Sequence, residues 1–226
     1  MSADRSSAAR MRARLVDAAI RLLTDEGPNA VQARRVASEV GASTMAVYHY
    51  WGGMSELLGA VVDEGFVRLG ARISATPISP DPVADLCRIA IAYLGVATAN
   101  KHLYDLMFGL SAPGGHRPDN GDESVVVAST AASDAYAPAI DAAARAMQAG
   151  RLRDADPAAV AAQFWSVLHG YASLASAGQF TQFDDSFAQV MVPLGINLLV
   201  GLGDTHERAT RSAMQALADL RPAVED

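Results

Sequence analysis

Cysteine and lysine are nearly absent from this chain of 226 residues, and each absence limits what the protein can be. Cys87 is the only cysteine, which excludes an intramolecular disulfide framework and a metal cluster with cysteine ligands. Lys101 is the only lysine, so seventeen arginines carry nearly all of the positive charge. Because nothing indicates an oxidising compartment, we expect a cytoplasmic protein.

Long apolar runs and strand patterns are also lacking. Residues 1–20 have no continuous apolar core of the signal-peptide type, and no uninterrupted run of about 18 apolar residues marks a membrane span. Alanine, a strong helix former, is abundant, and no alternating run of valine, isoleucine and threonine predicts a strand. We therefore expect an all-α protein without a membrane partner, whose 50% hydrophobic content is ample for a core.

Residues 31–58 read as two short helices joined by a tight turn and followed by a third helix. The first should run from about Gln32 to Val40, with an apolar seam formed by Val36, Ala37 and Val40. Gly41 should end this helix, and Ser43 is placed to cap the next one. The second helix carries on its outer side Thr44, Met45, Tyr48 and His49. The pattern predicts a helix-turn-helix, whose second helix fits a DNA major groove.

From Arg12 to Leu58 the chain closely resembles the TetR family of bacterial transcriptional regulators. One family motif appears here as Gly41, Ala42 and Ser43, and a second as Val47, Tyr48, His49, Tyr50 and Trp51. The resemblance implies that Arg34 contacts a base or phosphate, and that the groove is contacted by Thr44, Met45, Tyr48, His49 and Tyr50. Three residues depart from the family: Gln32 replaces a capping threonine, Tyr50 a common histidine, and Met54 a phosphate-binding lysine. The last change predicts modest non-specific affinity for DNA.

The net charge of −7 argues at first against nucleic acid, but the charge is unevenly distributed. Residues 1–50 hold seven arginines and five acidic residues, a balance of +2 that leaves −9 for the rest of the chain. DNA binding depends on the local basic face more than on total charge. The irregular-looking N-terminus could add backbone contacts or be a solvated tail; its basic residues are Arg5, Arg10, Arg12 and Arg14.

We expect two domains, a helix-turn-helix DNA-binding domain over residues 1–58 and a helical effector-binding and dimerisation domain over residues 59–226. Apolar periodicity and capping residues predict helices at about 13–24, 54–73, 82–99, 102–109, 157–177, 186–200 and 205–220. Asp156 and Asp81 each precede a proline that suits a first helical turn. Pro193 should bend its helix, and the polar stretch Ser111 to Glu123 should be a mobile loop.

The predicted helix over residues 157–177 is apolar nearly all round, which suits an element covered by its own subunit and by a partner. Together with the helix over 186–200 it predicts a homodimer. Its aromatic cluster resembles the tryptophan-histidine-glycine signature of one TetR C-terminal subfamily, through Phe164, Trp165, His169, Gly170 and Tyr171. The stretch His102 to Phe108 resembles a short helix of the same subfamily.

Large, adaptable side chains with few polar groups predict an effector pocket for an uncharged or weakly polar small molecule. The candidates for its lining are Tyr93, Tyr104, Met107, Phe108, Tyr136, Phe164, Trp165 and His169. The alternative is that these residues fill a solid core. The function that we expect is a ligand-responsive regulator, a repressor that binds a pseudo-palindromic operator as a dimer and is released by a small hydrophobic effector.

Two other classes of protein stay open at this point. A small helical enzyme would need a nucleophile and a base, such as Ser173 with His169 or Cys87 with a distant histidine, but neither pair has a supporting motif. A helical protein-binding scaffold would have no use for the groove-facing Tyr48 and His49. We expect no metal and no cofactor, since no glycine-rich phosphate loop is present and metal-ligand spacing is lacking among His102, His116 and His206.

Overall fold

The computed structural model describes residues 2–116 and 129–219, with side chains from residue 6 onward. Within these ranges the fold is all-α, as predicted, and no strand is present. The helices are α1 Ser2–Glu26, α2 Ala33–Glu39, α3 Met45–Trp51, α4 Met54–Ser74, α5 Pro82–Ala99, α6 Lys101–Met107, α7 Thr130–Gln148, α8 Pro157–Ser176, α9 Val192–Gly201 and α10 His206–Ala218. Short 3-10 turns occur at Pro28–Ala30 and Pro113–Gly115, and a π-helical turn, the π segment, at Phe187–Met191.

Contacts divide the chain into two compact units. Unit 1 comprises Met1–Gly70 with Asn100–Asp134, and unit 2 comprises Ala71–Ala99 with Ala135–Asp226. This division differs from the linear boundary expected at residue 58, because most of α4 and all of α6 belong to unit 1. A long helix that continues from a small domain shares that domain's core, so sequence order alone does not place the boundary.

Unit 1 is built on α1, whose predicted apolar seam is buried: Leu15, Ala18, Ala19, Leu22 and Leu23 are each at most 3% exposed. The expectation of an irregular N-terminus is wrong, because α1 begins at Ser2. Alanine and arginine favour helix, and the Arg10 Nε donates to the Ser6 carbonyl at 3.2 Å within this first part. The arginines of this region therefore lie on a helix.

The short helix α6 packs into unit 1. Asn100 caps it, accepting from the Leu103 amide, and its own Nδ2 donates to Thr24 Oγ1 of α1 at 2.5 Å. On α4, a Cβ added at Gly65 would lie 2.6 Å from the Sδ of Met107. The missing side chain of Gly65 is thus what allows α4 and α6 to approach so closely.

Unit 2 contains α5, most of α7, and α8, α9 and α10, of which only α7 is absent from the sequence-based prediction. The predicted caps are present at two helices: Asp81 Oδ1 accepts from the amides of Val83 and Ala84, and Asp156 Oδ1 from that of Ala158. These bonds satisfy amides that have no partner inside the helix, which fixes where α5 and α8 begin.

A buried network of charges holds α10 in unit 2. Arg151, 8% exposed, donates to both carboxylate oxygens of Asp204, at 2.6 and 3.1 Å, and to Ser212 Oγ at 3.0 Å. Ser212 donates to Asp81 Oδ2 at 2.6 Å, which joins α10 to the start of α5. A buried ion pair persists only where its remaining polar atoms are bonded in this way. The last helix is therefore an integral part of unit 2.

The predicted helix over 186–200 is present, but its first part is the π segment and only the remainder, α9, is α-helical. At the junction, the Val192 amide bonds to the Phe187 carbonyl five residues earlier, as in a π-helix. Pro193 has no amide hydrogen to donate to the preceding turn, which accounts for a local change in helical register. Before the π segment, Asp185 Oδ1 accepts from the Ala188 amide at 3.0 Å.

Helix α5 alone, among the described helices, is long and apolar enough to cross a membrane. Half of it is buried inside the molecule, and it packs against α8 and α10. Its sequence also contains Asp85, 2% exposed, which pairs with Arg88 at 2.6 Å and with Arg145 at 2.7 Å. These features are those of a core helix.

Candidate functional site

The predicted helix-turn-helix is present as α2, a turn and α3. Val36 and Ala37 of α2 and Val47 of α3 are fully buried and fix the two helices against each other and against α1. Gly41 has a φ of +69°, the left-handed conformation that a glycine adopts most easily after a helix. Gly52, at +85°, ends α3 in the same way. The buried seam leaves the opposite side of α3 to the solvent.

The outer side of α3 carries large side chains with little internal contact. Met45 is 69% exposed and Tyr48 50%, and His49 is exposed beside Tyr50, with ring centroids 4.7 Å apart. Tyr50 and Thr44 are half-buried, whereas Ser43 and Arg34 are exposed. A helix that exposes a methionine, a tyrosine and a histidine over a packed seam offers apolar, donor and acceptor groups to base edges.

The expectation that Ser43 caps α3 with its side chain is wrong. The residue flanking the helix is Thr44, which is already in the right-handed helical region at φ −54° and makes no side-chain cap bond. The first turn is closed instead by backbone carbonyls, with Ala46 N–H donating to Ser43 O at 2.9 Å. The exposed Ser43 hydroxyl is thereby left for another partner, such as a phosphate.

Several arginines near α3 have structural partners within unit 1. Arg14 donates to the Val40 carbonyl at 2.8 Å and so closes the end of α2, while the Arg12 guanidinium lies 3.9 Å from the centre of the Trp51 ring. Arg35 forms a bidentate pair with Glu26 at 2.6 and 2.7 Å, and its hydrogen bonds lower the pKa of that carboxyl. Arg34, predicted to contact DNA, makes no such pair among the described residues.

Two of the departures from the family pattern have visible consequences. Gln32 flanks α2 without a side-chain cap bond, and its Nε2 donates to the Asn29 carbonyl at 3.1 Å. Met54 is only 6% exposed, so it packs in the core of unit 1. A position at which the family places a phosphate-binding lysine is here part of the hydrophobic core, in accord with a missing ionic contact.

The predicted effector set is divided between the two units. Tyr104, Met107 and Phe108 belong to α6 and its end in unit 1, where Phe108 packs edge-on against Phe66 of α4 at 5.7 Å. Tyr104 lies 4.7 Å from Phe108, and both Tyr104 and Met107 are buried. These three side chains therefore contribute to the core of unit 1.

The other five residues of the set lie in unit 2, and three of them line a cavity of about 20 Å³: Tyr93, Phe164 and Trp165. The Trp165 ring is contacted edge-on by the rings of Tyr93 and Tyr136, each at 4.9 Å. Burial raises the pKa of Tyr136, so its hydroxyl stays protonated at neutral pH. His169 lies on the same helix as Trp165, and burial lowers its pKa, which favours the neutral imidazole.

A second cavity, of about 60 Å³, was not predicted from the sequence. It lies between α5, α8, the π segment, α9 and α10, and its walls are almost wholly apolar. Of the eight residues of the predicted set, only Phe164 lines this cavity. Cys87, which is not in that set, lines it too. Leucine and alanine at ordinary helical spacing carry no signal that separates a cavity wall from a filled core.

The groups considered for catalysis do not form a reactive pair. The Ser173 Oγ has no hydrogen-bond partner among the described residues, so it is not bonded to His169. Burial raises the pKa of the Cys87 thiol to about 12, which keeps it neutral and a poor nucleophile. No group of three metal-ligating side chains occurs in the parts of the chain that the structure describes.

An exposed apolar surface runs along α8 and α9. Leu174 is 48% exposed, Leu194 40% and Val200 39%. Gly170, on α8, has nothing within 4 Å of the position of an added Cβ. Three half-exposed aliphatic side chains beside an open glycine have no covering element within the described chain.

The exposed side of α3 above a buried seam, on an all-α body with internal cavities, defines a helix-turn-helix DNA-binding protein. Residues 15–61 match the family described as "Bacterial regulatory proteins, tetR family", and residues 86–194 match the "Tetracyclin repressor-like, C-terminal domain". The chain belongs to the TetR family, as predicted, and is a ligand-responsive transcriptional regulator. Its place in the tryptophan-histidine-glycine subfamily stays a prediction.

Solved structures share this fold. A protein of unknown function from Rhodococcus sp. RHA1 is 26% identical, with a TM-score of 0.70 over 86% of this chain and 96% of that one. RolR in complex with resorcinol is 16% identical, with a TM-score of 0.68 over 98% of both chains. The fatty acid degradation regulator FadR from Bacillus halodurans is 14% identical, with a TM-score of 0.62 over 86% of this chain and 97% of that one. No curated protein matches the chain.

Proposed function

We propose that the protein is a cytoplasmic repressor that binds a pseudo-palindromic operator as a homodimer and leaves it when a small hydrophobic effector binds unit 2. The observation that carries the DNA-binding part is the outer side of α3, where Met45, Tyr48 and His49 are exposed over a packed seam. A single exposed apolar side chain is common on protein surfaces. These three residues instead stand at i, i+3 and i+4 of one short helix, so they share one face that a partner could cover.

The contacts of the surface divide into two kinds. Tyr48 and His49 offer side-chain donors and acceptors to base edges, and Met45 offers apolar contact to a thymine methyl group. Arg34 and Ser43, at the ends of the α2–turn segment, are suited to phosphates and would set the register on the duplex. With Arg12, Arg14 and Arg35 held by partners inside unit 1, the number of phosphate contacts is small, and so should be the salt dependence of binding.

The homodimer is proposed from the apolar surface of α8 and α9. Leu174, Leu194 and Val200 are each about half exposed, and the open position at Gly170 would let a second helix approach closely. Two copies of this pair of helices would form a self-complementary four-helix interface of about 2,000 Å² or more, the size of obligate dimers. Two α3 helices related by a two-fold axis would then contact two half-sites, about one helical turn or a multiple of it apart.

The effector is proposed to bind in unit 2 near Tyr93, Phe164 and Trp165, which already line a cavity. RolR, of similar fold, has been solved with resorcinol, a small ring compound. Here the aromatic walls carry one tyrosine hydroxyl and one indole N–H for orientation, a composition that suits an uncharged or weakly polar ligand. Tyr104, Met107 and Phe108 of unit 1 stay candidates by sequence only.

Release from DNA requires the effector to bind one conformation of the dimer better than another. An effector with equal affinity for both would not change operator occupancy, however tightly it bound. An operator that overlaps a promoter blocks transcription while it is occupied, so a ligand that lowers the DNA affinity by the usual 5–150-fold relieves repression.

Selection of DNA from a random duplex pool, with the full chain as bait, tests the proposal. The expected product is an inverted repeat bound by two chains per duplex, measured by sedimentation of the complex. A thermal-shift screen of apolar metabolites then provides effectors, each of which should release the selected duplex. Enrichment of no sequence at all, or of a single unpaired half-site bound by one chain, would contradict the proposal.

The dimer interface is tested by replacing Gly170 with leucine. A bulky side chain at this position should hold the two α8 helices apart and shift the protein to monomer at micromolar concentration. The matched control is Gly95→Leu, since Gly95 also lies in a helix and has nothing within 4 Å of an added Cβ. We expect the control to sediment as the wild type does. A wild-type chain that is a stable folded monomer would remove the interface.

A further inference from the structure

Helix α1 begins well before the core of unit 1 does. It starts at Ser2, but Leu15 is the first of its described residues to be buried, and every side chain described between residues 6 and 14 is exposed or half-buried. The part of α1 that precedes Leu15, here called the α1 extension (residues 2–14), is about 20 Å long at 1.5 Å per residue. Burial in the core does not account for this half of the helix.

Two contacts fix where the α1 extension lies relative to the helix-turn-helix. The Arg14 guanidinium donates to the Val40 carbonyl at 2.8 Å, directly before the turn between α2 and α3. The Arg12 guanidinium lies 3.9 Å from the centre of the Trp51 ring, the last residue of α3. The extension therefore passes the C-terminal ends of both helices, and its earlier residues continue beyond these contacts.

Arg10 lies one helical turn before Arg14 on the same face of α1, because residues four apart in a helix stand above one another. Its side chain is exposed, and its Nε donates to the Ser6 carbonyl at 3.2 Å. Arg35 and Arg68 of unit 1 are paired with carboxylates, but Arg10 forms no ion pair among the described residues. Its positive charge is thus left without a counter-charge in the part of the protein that is described.

We propose that Arg10 binds a backbone phosphate of the duplex that flanks the half-site contacted by α3, so that the α1 extension is a second DNA-binding element. The inference rests on the proposed function, since it takes α3 to lie in the major groove. Arg14 holds the face that carries Arg10 beside the α2–α3 turn, where the exposed Ser43 is the other candidate for a phosphate contact. A guanidinium matches the geometry of a phosphate and keeps its charge at any ordinary pH.

The composition of the α1 extension favours a polyanion over an apolar partner. Between residues 6 and 14 it contains only serine, alanine and arginine apart from Met11, which is half-buried. Small side chains allow close approach to a sugar-phosphate backbone and offer no apolar surface to another protein. Because few other arginines of unit 1 are free, Arg10 should supply a large part of the salt dependence of DNA binding.

The test is the affinity of the full chain for two duplexes, measured by fluorescence anisotropy at several salt concentrations. The long duplex carries flanks on both sides of the selected inverted repeat, and the short duplex ends at the repeat. The wild type should bind the long duplex at least about tenfold more tightly at 0.1 M salt. Its slope of log affinity against log salt should be steeper there by about 1.8, which is about 0.9 for one phosphate per subunit.

Arg10→Ala should remove this difference, so that the variant binds both duplexes with the affinity and slope that the wild type shows for the short one. Arg10→Lys keeps the charge and should retain the steeper slope. The matched control is Arg21→Ala, because Arg21 is exposed on the same face of α1 and forms no ion pair among the described residues. It lies about 16 Å further along the helix, beyond the screening length of about 10 Å at 0.1 M salt, so its loss should leave the slope unchanged.

Every outcome bears on the inference. A smaller slope in Arg10→Ala, seen on the long duplex only and absent from Arg21→Ala, supports it. Equal losses in the two alanine variants would reduce the effect to net charge and overturn it, as would an unchanged slope in Arg10→Ala. Loss on both duplexes would place Arg10 inside the half-site and overturn the flanking contact. Failure of the proposed function is separate, since it would appear as unchanged binding in the α3 variants Tyr48→Ala and His49→Ala.

Discussion

The side chains on the outer side of α3 in unit 1 and those that surround the cavities of unit 2 differ in their exposure to solvent and in their spacing along the sequence. On α3, residues 45–50 are contiguous, and Met45 and Tyr48 stand half or more exposed over a buried seam. Around the smaller cavity of unit 2, Tyr93, Tyr136 and Trp165 come from three helices far apart in the chain, and Tyr93 is 1% exposed. An exposed surface made of contiguous residues can be predicted from a sequence. A buried cavity wall assembled from several helices cannot.

The two units also use polar groups differently in their interiors. Among the described residues, the buried polar and charged side chains are Asp85, Arg151, Asp204 and Ser212, and all four lie in unit 2. The buried residues of unit 1 are apolar. Removal of a charge from unit 2 should therefore cost more stability than an ordinary change in unit 1, and the predictions below follow that order.

The largest expected effect is that of Arg151→Ala. It leaves the carboxylate of Asp204, whose side chain is fully buried, without its main partner, and loss of one member of a buried pair costs about 3–5 kcal/mol of unfolding free energy. Urea unfolding should show the loss. The control is Arg211→Ala, since Arg211 pairs with Glu207 on the surface and should contribute less than about 1 kcal/mol. Equal losses in the two variants would show that the network is not structural.

A smaller loss is expected in unit 1 from Gly65→Val. The new side chain would meet Met107, whose Sδ lies 2.6 Å from the position of the added Cβ, and overpacking of this kind costs about 1–3 kcal/mol. Thermal unfolding of Gly65→Val and of Gly95→Val separates this clash from the helix propensity of valine, because Gly95 has open space around it. If both variants lose the same amount, α4 and α6 are not held by their close approach.

The next effect in size is a loss of effector affinity, which should differ between variants of unit 1 and of unit 2 because the predicted effector set is divided between them. Trp165→Ala should weaken binding of an effector found in the thermal-shift screen about tenfold or more, or about 1.4 kcal/mol, because the ring lines the cavity and contacts Tyr93 and Tyr136. Phe108→Ala, in unit 1, should leave the calorimetric affinity unchanged once the variant is shown to be folded. The opposite ranking would move the effector site to α6.

The smallest expected effect is the pH dependence of stability that arises from His169. Burial holds its pKa below the ordinary value, so the unfolded chain binds more protons than the folded one as the pH falls below about 6.5. The associated stability is fully present above pH 6.5 and is lost progressively down to the folded pKa. His169→Gln should flatten the dependence of the urea midpoint on pH in this interval. A wild-type midpoint that rises as the pH falls there would have the wrong sign.

The sequence predicted the starts of α5 and α8 correctly, because a helix cap depends only on residues close to the helix terminus. Asp81 and Asp156 stand directly before prolines, and both form the expected bonds to amides of their own helices. The prediction failed at Ser43, since the choice between side-chain and backbone closure depends on the conformation of Thr44, which the turn decides. The burial of Met54 was not predicted either, because it follows from packing against residues distant in the sequence.

The predicted effector set shows the same limit, because the sequence does not tell which of its residues come together in the folded protein. Three of the aromatic candidates, Tyr93, Phe164 and Trp165, line a cavity, and their role in effector binding stays a prediction. Aromatic character could not separate them from Phe108, which is equally aromatic but packs against Phe66 in unit 1. The cavity of about 60 Å³ was missed altogether, since its walls are mostly leucine, alanine and valine at ordinary helical spacing.

Affinity of alanine variants for the selected operator tests the central claim most directly. Tyr48→Ala and His49→Ala should each weaken binding by about 1–3 kcal/mol, measured by fluorescence anisotropy, with thermal midpoints near that of the wild type because both side chains are exposed. Ile78→Ala, 82% exposed in unit 2, is the control and should bind as the wild type does. Unchanged affinity in both α3 variants would contradict the account and place DNA on another surface.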